Sequence, residues 1–133
     1  MKAYLINPIK EEISVVDYNG DFHEIIKFIN AKIFTVVYPF KNADTIYVDD
    51  MGLMKPLNYY FEIEYDNGHS QDLFGLGLVL GSDPNGTSID AQTTLEELKK
   101  RITFKGGAMI ETSSRGFEIY PFGREPYEQR KIN

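Results

Sequence analysis

The sequence predicts a single α+β domain: a mostly antiparallel sheet carrying two short helices. Three observations predict it. Short β-branched and aromatic runs recur along the chain, separated by turn dipeptides. Only two segments space their apolar residues as a helix does, and both are short. No linker, repeat or low-complexity stretch divides the 133 residues, a length usual for one domain. Residues 1–104 read as the α+β core, and residues 105–133 as a basic C-terminal hairpin and tail extending the same domain.

Ala3–Ile6 and Ile13–Tyr18 read as an N-terminal hairpin around an Asn7-Pro8 turn, closed by Asn19-Gly20. Asp21 is placed as an N-cap, with Glu24 at capping-box spacing. Phe22, Ile25, Ile26 and Ile29 then form one apolar stripe, so Asp21–Asn30 is the first helix. "KIFTVVYPF" is a strand that Pro39 stops or pushes to an edge. "TIYVDD" is a strand that turns at Asp50-Met51-Gly52. "NYYFEIEY" alternates as a strand and turns at Asn67-Gly68. "TTLEELKKR" is the second helix. Thr93/Glu96 and Thr94/Glu97 have capping-box spacing, acids stand in its first turn and bases in its last. Leu95, Leu98 and Ile102 form its stripe, and a helix this short must pack on a sheet. "RITF" and "AMIET" read as two strands joined by a tight turn at Gly106-Gly107. "SSRG" is a further turn and "FEIYPF" a last strand. Beyond it "GREPYEQRKIN" has no periodicity.

The stretch "DLFGLGLVLGSDPNGTSID" poses a choice between a phosphate loop and a buried strand. A dinucleotide loop needs G-x-G-x-x-G between a strand and a helix. Here the spacing is Gly75-Leu-Gly77-Leu-Val-Leu-Gly81, with no helix start after it. No Gly-Lys-Ser/Thr follows either, as a P-loop requires. The stretch therefore reads as a buried strand from about Gly77 to Gly81, entered through a glycine bend, with a turn at Asp83-Pro84-Asn85-Gly86. Glycine inside a strand marks a bulge or a close approach. At Gly75 and Gly77 the approaching group is either a crossing strand or a ligand.

Composition excludes several classes of function. No apolar run approaches the roughly 18 residues of a membrane helix. The absence of cysteine excludes disulfides, thiolate zinc sites and a cysteine nucleophile. The first residues lack a signal-peptide pattern, and the expected location is the cytoplasm. The net charge of −6 argues against general nucleic-acid binding. That charge is uneven: residues 1–97 carry a balance of −10 and residues 98–133 a balance of +4. A basic end on an acidic body docks on an acidic face of its own chain or a neighbour, or meets an anion. His23 and His69 have no metal-ligand partners at suitable spacing, and no G-x-S-x-G nucleophile motif occurs. Asp49-Asp50 suits a turn better than a cation site. No cofactor and no enzymatic activity are expected.

The nine tyrosines, with no tryptophan, suit interfaces and stacking. Tyr59 and Tyr60 are adjacent in a strand and face opposite ways. Arg115, Arg124 and Tyr120 gather in the basic end, as a site for an anionic aromatic ligand or a protein interface requires. The candidate ligand-binding residues are therefore Arg115, Arg124, Tyr120, Tyr59, Tyr60, Gly75 and Gly77. Many short strands leave edges to cover, so self-association is expected.

"IYVDDMGLMK", "FGLGLVLGSDPNG" and "TTLEELKKRITF", together with the opening "MKAYLINP", resemble a family of small bacteriophage proteins of unknown function. The resemblance covers roughly residues 1–104. It implies a phage protein acting in a bacterial host and supplies no catalytic residues. In that setting the expected function is non-enzymatic binding: sequestration of a nucleotide-like signalling molecule to counter host defence. The alternative is an inhibitor or accessory module that binds a host protein, for instance by adding a strand to a sheet edge.

Overall fold

The structure is a computed structural model and describes residues 1–123. Among them every strand pairing is antiparallel, which fits a mostly-β α+β fold. The strands are β1 (Lys2–Asn7), β2 (Glu12–Asp17), β3 (Phe34–Val37), β4 (Thr45–Asp49), β5 (Leu57–Glu64), β6 (Ser70–Phe74), β7 (Gly77–Ser82), β8 (Ser88–Ile89), β9 (Ile102–Ser113) and β10 (Gly116–Gly123). The helices are α1 (Phe22–Ile29) and α2 (Leu95–Arg101).

The strands divide between two sheets, where the sequence reading expects one. The first runs β2-β1-β7-β4-β3, with β8 on the end of β7; the second runs β10-β9-β5-β6. The reason is β7, whose first five residues are all buried. An apolar strand with both faces sealed needs a layer on each side. On one face Leu78 and Leu80 pack with Ala3, Tyr18, Ile25 and Ile29 beneath α1. On the other, Val79 packs with Ile6, Ile46 and Val48 against Phe61, Ile63 and Leu73 of the second sheet. Leu98 of α2 joins this inner core.

Helix α1 forms where its stripe predicts, with Ile25 and Ile29 buried but Phe22 exposed, and the box differs. Asp21 caps it by accepting from the His23 N–H at 3.0 Å. The carboxylate of Glu24 reaches past Asp21 to the Asn19 N–H at 2.8 Å, because the Asp21 N–H is already taken by Asn19 Oδ1. The helix ends at Asn30, in the left-handed conformation with φ 53°.

Helix α2 is capped by Thr94, which accepts from the Glu97 N–H at 3.1 Å. Thr93 serves a different contact. The fully buried Asp44 carboxylate accepts from the Thr93 N–H at 2.7 Å and from the Gln92 N–H at 3.0 Å. Asn42 completes the staple, accepting from the Asp44 N–H and donating to Thr93 Oγ1. A buried carboxylate persists only when its oxygens are bonded. Here it ties the β3–β4 loop to the start of α2. At the other end of α2, Arg101 pairs with Asp66 and Glu97 and donates to the Glu64 carbonyl. Its guanidinium lies 5.7 Å over the Phe40 ring. The Asp66 carboxyl also accepts from the Lys41 N–H at 2.5 Å. That bond first, and Arg101 second, hold it below its usual range.

Residues 102–113 correct the reading of two strands around a Gly-Gly turn: β9 is continuous. Its register against β5 shifts between Tyr60↔Gly106 and Phe61↔Phe104, so Lys105 is the extra residue of a bulge. Gly106, with φ +82°, supplies the left-handed bulge residue, and the Phe122 ring fills the space beside Gly107. A bulge and a tight turn ask for the same glycines. The sequence carries no signal for strand β6 or the short β8, because "SQDLF" and "SI" are too short or too polar to show alternation.

Replacing Asp44 with alanine takes the acceptor from the buried Thr93 N–H and from the part-buried Gln92 N–H. We expect Asp44→Ala to lower unfolding free energy by at least about 3 kcal/mol, measured by urea titration. The lowered Asp66 pKa predicts the form of acid sensitivity. A depressed carboxyl contributes stability above its unfolded pKa, and that contribution is lost as pH falls through the folded value. Asp66→Asn should therefore melt below wild type near neutral pH, and the two should converge as the pH falls through the depressed folded value, below the ordinary 3.8.

Candidate functional site

The segment between β4 and β5 crosses from one sheet to the other, and it is held as a clasp. Asp49 ends β4 with its side chain almost wholly buried. It accepts from the Met51 N–H at 2.9 Å and pairs with Lys55 Nζ at 3.0 Å. One carboxylate thus grips both ends of the crossing. Between them Gly52–Met54 makes one 3-10 turn. Gly52 lies so close to β6 that a Cβ there would stand 2.5 Å from the Phe74 carbonyl oxygen. Asn58 Nδ2 donates to the Gly52 carbonyl at 3.0 Å, and the Ile110 N–H to that of Pro56 at 2.8 Å. Leu53 packs on Tyr60, Phe74, Ala108 and Ile110.

The clasp roofs an open cleft of about 330 Å³ at the side of the sandwich where β3 and β6 end their sheets. Thr35, Val37 and Val48 line it from the first sheet, and the consecutive residues Gln71, Asp72, Leu73 and Phe74 from β6. Phe117 of β10 reaches its rim. A second hollow of about 450 Å³ lies behind the clasp, beside Asn30, Ala31 and Lys32. Met51 and Met54, exposed at 39% and 55%, wall both. Methionine pairs of this kind adapt to irregular apolar partners.

The free edge of β6 faces this cleft. The Tyr65 N–H donates to the His69 carbonyl at 2.7 Å, and the Gly75 N–H to that of Tyr59 at 2.8 Å. These bonds flank the pairs Glu64↔Ser70 and Tyr60↔Phe74. Those pairs are therefore the non-hydrogen-bonded ones of the ladder, and alternation adds Asp72. The backbone groups of Ser70, Asp72 and Phe74 accordingly point away from β5. The Phe74 carbonyl is covered by Gly52, so the open stretch centres on Asp72.

A family model for a domain of unknown function, DUF3846, matches residues 1–103. The chain belongs to the DUF3846 family. No curated protein and no solved structure matches it. The clasp, β3 and β6 lie inside the DUF3846 segment. The match ends at Thr103, the second residue of β9. Phe117, and with it one rim of the cleft, comes from beyond.

The described residues among those expected to bind an anionic ligand are not brought to one place. Arg115 stands exposed in the two-residue loop between β9 and β10, its N–H bonded to Ser113 Oγ at 3.2 Å. Arg124 lies outside the described residues. Tyr120 is exposed, and its hydroxyl donates to Glu118 at 2.5 Å, a bond that raises its pKa. Tyr59 is half-buried and meets Phe122 edge to face, while Tyr60 is buried and stacks on Phe74 with centroids 4.6 Å apart. The two take opposite faces of β5, as period-two geometry requires. Gly75, with φ +98°, makes the bend between β6 and β7, and has room beside it. Gly77 lies in the other sheet.

The choice between a crossing strand and a ligand at Gly77 also changes. What fills its Cβ space is side chains: Phe61 at 3.0 Å and Ile46 at 3.1 Å. Close backbone approaches occur elsewhere, at Gly52 and at Gly81, which lies against the Asp90 carbonyl. Asp49 is committed to Lys55 and Met51, and among the described residues no three metal-ligating side chains gather. Sequence reasoning missed the cleft because β6 was not recognised. The signal available was the pair Met51 and Met54 in a turn, where polar residues usually stand.

Phe61 and Ile46 are both wholly buried, so any shift that makes room for a side chain at Gly77 disturbs the core. Gly77→Val should therefore destabilise the protein by roughly 1–3 kcal/mol in thermal or denaturant melts.

Proposed function

We propose that this protein is a non-enzymatic binding module that takes up an extended segment of a partner protein along β6. One observation carries the reading. The unpaired backbone edge of β6 runs beside an apolar cleft, so a strand added there gains main-chain hydrogen bonds and side-chain pockets together. Strand addition draws affinity from the first and specificity from the second. Edge strands of native proteins are normally blunted by charge, proline or a covering element. On β10 Pro121 sits in the edge strand itself. Strand β6 has Asp72 as its one charged residue, its residues Ser70–Asp72 are exposed, and Gly52 of the clasp covers the Phe74 carbonyl. Sequestration of a nucleotide-like molecule has less support, since the described residues proposed for it are spread over the hairpin loop, both faces of β5 and two sheets.

The test uses proline as an edge block. The Asp72 N–H points away from β5, so Asp72→Pro removes no ladder bond and deletes the outward donor. Peptides of about twelve residues selected against the wild type should lose at least about tenfold in affinity for Asp72→Pro, a change of about 1.4 kcal/mol. Asp72→Ala, which keeps the donor, should retain most of the binding. Peptides that bind wild type and Asp72→Pro equally would place the site elsewhere and overturn the reading.

A further inference from the structure

The two faces of β6 differ, and the difference specifies the segment that pairs with it. Leu73 turns inward and packs in the core with Val48, and Gln71 shares its face. A strand laid against β6 continues this row toward Thr35, Val37 and Val48, which are apolar apart from one hydroxyl. Alternate side chains of such a strand fall on the opposite face, beside Asp72, with Asp50 also lining the cleft.

The charges around the cleft leave a net acidic rim. Asp49 is neutralised by Lys55 at 3.0 Å, and Glu62, which stands across the ladder from Asp72, by Lys105 at 3.3 Å. Asp50 and Asp72 make no ion pair with a described residue. Lys105 also feels the Asp72 charge, but its ammonium is bonded to Glu62. The remaining field is reinforced by the body of the chain, whose residues 1–97 carry a balance of −10.

We infer that the segment bound along β6 alternates apolar and basic side chains, the apolar row entering between the sheets and the basic row meeting Asp72 and Asp50. The inference rests on the strand-addition reading and adds to it the chemistry of the partner. The occupant is a segment of another protein. The chain's own residues 124–133 lack alternation and contain Pro126, which interrupts a ladder.

The experiment follows backbone amide resonances of the full-length protein during titration with three short peptides: alternating Val/Lys, alternating Val/Thr and alternating Val/Glu. The Val/Lys peptide should shift the amides of Gln71–Phe74 and Thr35–Val37, and bind at least about tenfold tighter than Val/Glu at low salt. In the double variant Asp50→Lys with Asp72→Lys the order should reverse. Equal affinity of all three peptides, with the same amides shifting, would overturn the charge inference and leave strand addition standing. No shift at Gln71–Phe74 with any peptide would remove strand addition and the inference with it. Shifts of those amides on dilution of the protein alone would assign the edge to a second copy and overturn the proposal.

Discussion

Everything in this fold follows from a strand that has no face to spare. β7 lies between β1 and β4, and its apolar residues point both ways. A sheet with such a strand at its centre cannot leave either side wet. Helix α1 closes one side and the second sheet closes the other. The second sheet brings the Phe61 ring to 3.0 Å from where a Cβ at position 77 would stand. The continuous apolar run and its interrupting glycine are thus one requirement, expressed twice.

The cleft is a by-product of that layering. Two sheets stacked face to face have open sides, and the chain must cross between them somewhere. It crosses from β4 to β5 over the side where β3 and β6 are the outer strands. The crossing must start and stop at fixed points, and the buried Asp49 provides both by holding Met51 and Lys55. Held this way, the clasp presents methionines to solvent and leaves the middle of β6 uncovered. The pairing that secures the fold at this corner also shapes the surface on which the functional reading rests.

The DUF3846 match stops inside β9, yet the fold does not. Ala108, Ile110 and Phe122 are buried, and β5 would lose most of its pairing with β9 without the residues that follow Thr103. The β9–β10 hairpin is therefore structural in this chain as well as a contributor to the cleft through Phe117. The positive charge of the C-terminal region divides in the same manner. Arg101 is spent on Asp66, Glu97 and a carbonyl, and Lys105 on Glu62. Part of the charge asymmetry read from the sequence is thus docking of the chain on its own acids.

Local chemistry was legible without coordinates. The helix stripes, the caps at Asp21 and Thr94, the turns at Asn67-Gly68 and Asp83–Gly86, and the buried nature of Gly77–Gly81 depend on neighbours a few residues away. Such interactions are set by spacing alone. So was the rejection of a phosphate loop, because that motif fails on its own local terms. What only the tertiary structure decided depends on which surfaces meet. Gly106-Gly107 has the same composition as a turn, and the pairing partner β5 makes it a bulge. Thr93 has the spacing of a cap, and the distant Asp44 claims its N–H instead. Gly77 announces a close approach, but its nature came from Phe61 in another sheet. The division into two sheets, the clasp at Asp49 and the exposed edge of β6 are likewise contacts between residues far apart in the chain. A single sequence records that such residues are apolar, acidic or small; the partner each one meets is settled by packing.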